Sequence, residues 1–169
     1  MKSKFLTITF CLFVFVASVF AQNEAERFDE FGELNCEEIL ARSNNLLNEL
    51  NKNPTLISYI IFYEGKHSQY SYNKKTQKSE TKLINPRRGE SRNKAEAIRL
   101  YLTKWRKFPK ERLILVDGGY RANYGVELWI APVGAERPKP SPDLKEKDLK
   151  YRKGKAPKVA DCQEFYSSI

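Results

Sequence analysis

Arg87, Arg88 and Lys94 are the charged side chains of this sequence best placed to meet a ligand. They stand where a polar, basic stretch gives way to apolar residues at helical spacing. A helix N-terminus there would add its own positive potential to theirs. Arginine grips a carboxylate or phosphate through two parallel N–H donors, whereas lysine acts as a point charge. Ahead of them, Tyr70, Tyr72, Lys74, Lys75, Lys78 and Lys82 interleave aromatic rings with cations. Such a patch suits anionic lipid headgroups or acidic wall polymers, and, third in order, stacked bases.

Catalytic chemistry finds little to work with. His67 is the only histidine and no CxxC is present, so no metal set is expected. Carboxylates could be drawn from Asp29, Glu30 or Glu33, but an acidic stretch of this kind usually forms a solvated face. Asp117-Gly118-Gly119-Tyr120 precedes a strand rather than opening a helix, which is the wrong context for a phosphate loop. No catalytic residue and no cofactor are expected.

Residues 1–21 set the compartment. Lys2 and Lys4 precede an apolar run over residues 5–20, and Val19-Phe20-Ala21 ends in the small residue a signal peptidase needs. The run is shorter than the roughly 20 residues of a membrane span. Acidic, polar sequence follows it at once. The reading is a cleaved secretory signal and an exported protein, periplasmic or extracellular, with no membrane span after cleavage. Removing the signal's two lysines from the chain's +9 leaves +7. That charge is uneven: residues 23–50 are net acidic, while residues 66–94 and 137–158 are net basic. The asymmetry points either to an acidic partner or to attraction between the chain's own segments. Export leaves Cys36 and Cys162, which in an oxidising compartment most simply pair. Two free thiols and an intermolecular bridge are the alternatives.

The elements that would carry these residues are readable in outline. Residues 27–31 alternate weakly and end at Gly32. Asn35 can cap a helix whose first turn holds Glu37 and Glu38, whose stripe is Ile39, Leu40, Leu46, Leu47 and Leu50, and which should stop at Asn53-Pro54. Residues 56–63 (LISYIIFY) form a near-continuous apolar run, expected to be a central strand buried on both faces. Residues 65–88 are polar and basic, a long surface loop or ragged hairpin. A second helix is expected over residues 90–105, with Ala95, Ile98, Tyr101, Leu102 and Trp105 on its apolar side. Strands follow at residues 112–116 and 124–131, separated by the turn signal Asp117-Gly118-Gly119. From Pro132 the chain turns proline- and lysine-rich, an extended, solvated linker and tail over residues 132–169 that carries Cys162. The expected fold is α+β: a two-layer sandwich over residues 22–131, in the order β-α-β-α-β-β. Both helices would lie on one face of a mixed four-stranded sheet, with a right-handed parallel crossover through the second helix.

Three pieces of this order carry a family resemblance. They are the opening strand and helix followed by Asn53-Pro54 and a strand, the segment Ser91-Arg92-Asn93-Lys94-Ala95-Glu96-Ala97-Ile98-Arg99-Leu100-Tyr101-Leu102, and Asn123-Tyr124-Gly125-Val126-Glu127-Leu128. Over residues 28–130 the chain resembles the OmpA-like peptidoglycan-binding domain, whose helix motif is L-S-x-x-R-A-x-x-V-x-x-Y-L and whose closing strand reads N-R-R-V-E-I. The resemblance implies an arginine in the helix motif and an aspartate after the second strand, which together hold the carboxylate and amine of a diaminopimelate residue. Here Lys94 takes the arginine's place. The aspartate's region reads Glu64-Gly65-Lys66-His67, so Glu64 is the substitute.

The function expected is therefore a non-enzymatic, exported cell-envelope binding domain. Its partner would be peptidoglycan, an anionic envelope polymer or an envelope protein, and Lys94, Arg87, Arg88 and Glu64 would be its ligand-binding residues. A protein-interaction scaffold with no small-molecule site is the alternative. An envelope hydrolase comes last, for want of paired acids. Nucleic acid is set aside because an exported protein seldom meets it.

Overall fold

The computed structural model describes residues 24–158. The signal-peptide reading of residues 1–21, and Cys162, lie outside the described residues.

Strand β1 (Glu26–Phe31) leads into helix α1 (Cys36–Lys52). Asn35 caps α1 reciprocally: its Oδ1 accepts from Glu38 N at 2.9 Å, and Glu38 Oε2 accepts from Asn35 N at 3.1 Å. The helix ends at Asn53, in extended conformation ahead of Pro54. Strand β2 (Leu56–Asn73) is much longer than its apolar run, and it turns back into β3 (Lys78–Ile84). Helix α2 (Glu90–Leu100) passes into a wider π turn (Tyr101–Trp105) before β4 (Leu113–Asn123) and β5 (Gly125–Pro132).

The fold is α+β, with two helices and a five-stranded sheet. β5 pairs antiparallel with β1 on one side and β2 on the other, and β2 pairs parallel with β4. β4 and β5 run in opposite directions but do not pair, because β2 lies between them. The fifth strand, absent from the sequence expectation, is β3. It pairs antiparallel with residues 67–73 of β2, beyond the part held by β4 and β5. Of the two readings of residues 65–88, loop or ragged hairpin, the hairpin is the one formed.

Alternate residues of β2 serve two layers. Ile60 and Phe62 meet Leu46, Leu47 and Leu50 of α1 and Ala95 and Ile98 of α2 in the main core. Tyr59, Ile61 and Tyr63 face the other way and cluster with Val116 and Ala131. The stretch after β5 docks on the body instead of standing free in solvent: residues 141–144 lie against that second face, and residues 151–157 cross to the start of α2. Ser141 N donates to Tyr63 Oη at 3.1 Å, Leu144 bridges to Tyr120, and Leu149 is buried. Proline and charge in this stretch suppress regular structure without preventing docking through backbone groups.

Gly118 explains why β4 runs through its apparent turn. A Cβ there would sit 2.5 Å from Tyr63 Cε1, so the position must be bare for the tyrosine ring to pack over the strand. Gly65 plays the same part where β2 meets the β4–β5 junction: a Cβ would lie 2.2 Å from the Asn123 carbonyl carbon.

Candidate functional site

A parallel strand pair with its crossover helix leaves a crevice at the strands' carboxyl ends, beside the helix N-terminus, and ligands commonly bind in that crevice. Here the pair is β2 and β4, and the helix is α2. The N-cap of α2 is Gly89, which has no capping side chain. Glu64 of β2 supplies the acceptor instead. Its carboxylate takes Gly89 N at 3.3 Å, Ser91 N at 3.5 Å and Ser91 Oγ at 3.1 Å. Glu64 is only 8% exposed. Burial pushes its pKa up, and the hydrogen bonds from Ser91 and Gly89 only partly offset that, so it stays above the usual carboxylate value.

Glu64 and Arg88 line one cavity of about 210 Å³, together with Phe62, Arg92, Asp117, Tyr120 and Tyr151. Arg88 reaches it from the turn before α2, with Nη1 2.6 Å from Glu146 Oε1 and its guanidinium 4.4 Å over the Tyr151 ring. Asp117 ends the straight part of β4, where its Oδ1 accepts from Gly119 N at 2.9 Å. Tyr151 comes from the docked tail. Burial, and then the charge of Glu64, push its hydroxyl up to about 12, so it enters the site as a neutral donor. Two guanidinium groups and two carboxylates around one small cavity suit a ligand that carries both charges: a carboxylate against Arg88 and Arg92, an ammonium against Asp117 and Glu64.

The other two expected ligand residues lie elsewhere. Arg87 contributes its backbone N–H, donated to Glu90 Oε2 at 2.8 Å. Lys94 lines a different cavity from Glu64, in a cluster with the exposed Glu33 and the buried His67 and Tyr124. Its ammonium pairs with Glu33 Oε1 and lies 4.7 Å over the Tyr124 ring. His67 is 2% exposed, with Nδ1 at 3.0 Å from both Lys94 Nζ and Glu33 Oε2. Nδ1 donates to Glu33 when it carries a proton and accepts from Lys94 when it does not, so the two contacts are not hydrogen bonds at once, and the ring's other nitrogen is Nε2. That atom has no hydrogen-bond partner; the nearest carboxylate oxygen, Glu90 Oε2, stands 4.0 Å away. Burial raises the pKa of Glu33, but the hydrogen bonds and charges of His67 and Lys94 outweigh it and hold the carboxyl below its usual value. Lys94 also borders an apolar groove of about 190 Å³ between Phe31, Leu34, Ile39, Leu40 and Tyr101. Cys36, at the groove's edge, is disulfide-bonded, and its partner lies outside the described residues, as do both Cys11 and Cys162.

Sequence reasoning missed Arg92, Asp117, Tyr120 and Tyr151. Asp117 and Tyr120 were visible only as a turn signal. Tyr151 gave no signal, because nothing local shows that residue 151 folds back over α2. Among the described residues no group of His, Cys, Asp and Glu is arranged to hold a metal ion, and no helix is long and apolar enough to cross a membrane.

No family model, no curated protein and no solved structure matches the chain.

Proposed function

We propose that the protein is a non-enzymatic, exported binding domain with an OmpA-like sandwich. On this reading it holds a carboxylate- and amine-bearing component of the cell envelope, peptidoglycan first, in the cavity at the start of α2. The observation that carries this reading is the convergence of Arg88 and Arg92 with Glu64 and Asp117 on one small cavity. The architecture supports it: strands β1, β5, β2 and β4 lie beneath two helices, and β3 is an addition to that set. The residue roles differ from what the resemblance implies. Lys94 lies outside the cavity that Glu64 lines, so carboxylate binding passes to Arg92 and to Arg88, whose exposed pair with Glu146 a ligand can displace, and Asp117 joins Glu64 opposite them.

Co-sedimentation with purified peptidoglycan sacculi tests this at low and physiological salt. The expected result is retention that survives physiological salt. It should weaken about tenfold or more in the Arg88→Ala/Arg92→Ala variant and in Asp117→Asn, as expected for lost hydrogen bonds to charged groups. Retention abolished by salt would reduce the site to a basic surface. No retention at either salt would withdraw the reading in favour of a protein partner.

A further inference from the structure

The β2–β3 hairpin projects from the folded body as a separate arm. Each strand contributes seven paired residues, of which the first pair, His67 and Ile84, is anchored in the body, so the arm extends about 20 Å beyond it at the rise of a β-strand. The pairing of β2 with β5 ends at Tyr63 and that with β4 at Lys66. Among the described residues neither edge of the arm meets another strand. The tip is well formed: Asn73 Oδ1 accepts from Lys75 N at 3.0 Å and from Thr76 N at 3.4 Å, and Gln77 adopts φ 51° to close the turn. A two-stranded ribbon standing alone in water is marginal. One of this length is best explained by a surface that it lies against.

The register shows what that surface must offer. Opposed residues share a face, so Ser68 and Leu83, Tyr70 and Thr81, and Tyr72 and Ser79 stand together on one side. Tyr70, Tyr72 and Leu83 are 68%, 55% and 59% exposed, with no core beneath them. That face carries no charge. Lys78 and Lys82 occupy the other side, and Lys74 and Lys75 the tip, against Glu80 as the arm's single acid. A hydrated polyanion would need only the lysines. The uncharged face adds two phenol rings and a leucine, side chains that settle where water meets hydrocarbon.

We propose that this arm is a docking element for an anionic lipid surface. Tyr70, Tyr72 and Leu83 enter the headgroup boundary, Lys74 and Lys75 at the tip pair with lipid phosphates, and Lys78 and Lys82, on the far side of the ribbon, are drawn to the anionic surface across about a Debye length. This function is separate from the cavity at α2: sacculi contain no bilayer and vesicles contain no peptidoglycan, so the two readings fail independently.

The test is vesicle co-sedimentation with the chain beginning at Gln22, which keeps the whole folded body and removes the apolar leader. Vesicles of phosphatidylcholine alone are compared with vesicles containing phosphatidylglycerol. Retention is expected on the anionic vesicles only. A lysine at such a surface contributes up to about fivefold in affinity, so Lys74→Gln, Lys75→Gln, Lys78→Gln and Lys82→Gln together should lower it by between about 25-fold, from the two tip lysines alone, and about 600-fold. Tyr70→Ser, Tyr72→Ser and Leu83→Ser together should lower it as well, and exposure at all three positions leaves the fold intact. Tyr72→Trp should show a blue-shifted indole emission on anionic vesicles, which a purely electrostatic contact would not produce. Equal retention on both vesicle types, or retention unchanged in both arm variants, overturns the proposal. So does lysine-dependent binding to sacculi or to a single-stranded oligonucleotide without binding to vesicles.

Discussion

Two buried carboxylates on adjacent strands have opposite surroundings. Glu127 of β5, fully buried, points into the face that the tail around Ser141 covers, and it is saturated. Tyr63 Oη donates to it at 3.1 Å, Trp129 Nε1 at 2.9 Å and Arg121 Nη2 at 2.5 Å. Arg121 lies 3.5 Å over the Tyr63 ring and reaches Ser141 Oγ at 2.7 Å, which ties the tail into the same network. Burial raises the Glu127 pKa, but the hydrogen bonds from Trp129, Arg121 and Tyr63 more than cancel it, and the carboxyl sits below its usual value. Glu64 of β2, on the helix face, has only the weak donors of a helix start and sits above the usual value. A satisfied buried network specifies structure. An undersupplied carboxylate beside a cavity is the kind of group that functional sites retain.

The comparison is broken most severely from the Glu127 side. Arg121→Ala removes the nearer of two charge partners and leaves the buried carboxylate only Arg27 Nη1 at 3.8 Å, which costs about 3 kcal/mol. Urea unfolding should show that loss, and it should free residues 132–158 to proteolysis, since Arg121 also holds Ser141. A loss below about 1 kcal/mol would mean that the network is incidental to stability.

The same contrast accounts for what the sequence made readable. α1 was bounded at both ends by local chemistry, the Asn35 cap and Pro54. The central part of β2 announced itself as an unbroken apolar run. Its continuation did not, because a ribbon with both faces in solvent needs no hydrophobic period. Gly118-Gly119 imitated a turn, since the requirement that put Gly118 there is the ring of Tyr63, fifty-odd residues away in sequence. Arg88 was readable because its charge flanks a helix start, whereas Glu64 was named only as the substitute for the aspartate that the family resemblance implies. The site was unreadable where a cavity is assembled from β4, α2 and the tail, whose proximity no local pattern records. Lys94 held the motif position, but Glu33, from the β1–α1 connection, neutralises it.

A smaller effect sharpens the contrast through pH. The raised pKa of folded Glu64 means that, just above pH 4.5, the folded state keeps a proton the unfolded chain has released. Stability therefore falls as pH rises through that window. Glu127 and Glu33 act in the opposite sense: their lowered values contribute stability that is lost as pH falls below 4.5. Glu64→Gln keeps an acceptor for Gly89 and Ser91 and abolishes the first effect alone. Urea midpoints from pH 3 to 8 should show the acid limb unchanged in the variant and the decline above pH 4.5 flattened. An identical decline in both proteins would mean that Glu64 ionises freely in the folded state.

The smallest expected change comes from the most buried side chain of the site. His67 stacks 4.9 Å from the Tyr124 ring, and its Nε2 is buried without a partner, a cost of about 1–3 kcal/mol for a polar atom in that position. His67→Phe keeps an aromatic ring against Tyr124 and removes the orphaned atom. It also removes the Nδ1 contacts to Lys94 and Glu33, but those two groups retain each other. Gain and loss nearly cancel, so the variant should unfold within about 1 kcal/mol of the parent, where Arg121→Ala loses several times that. If His67→Phe were instead as damaging as Arg121→Ala, the Glu33–His67–Lys94 cluster would be a structural network like that of Glu127. The division of the sheet into a structural face and a functional one would then not hold.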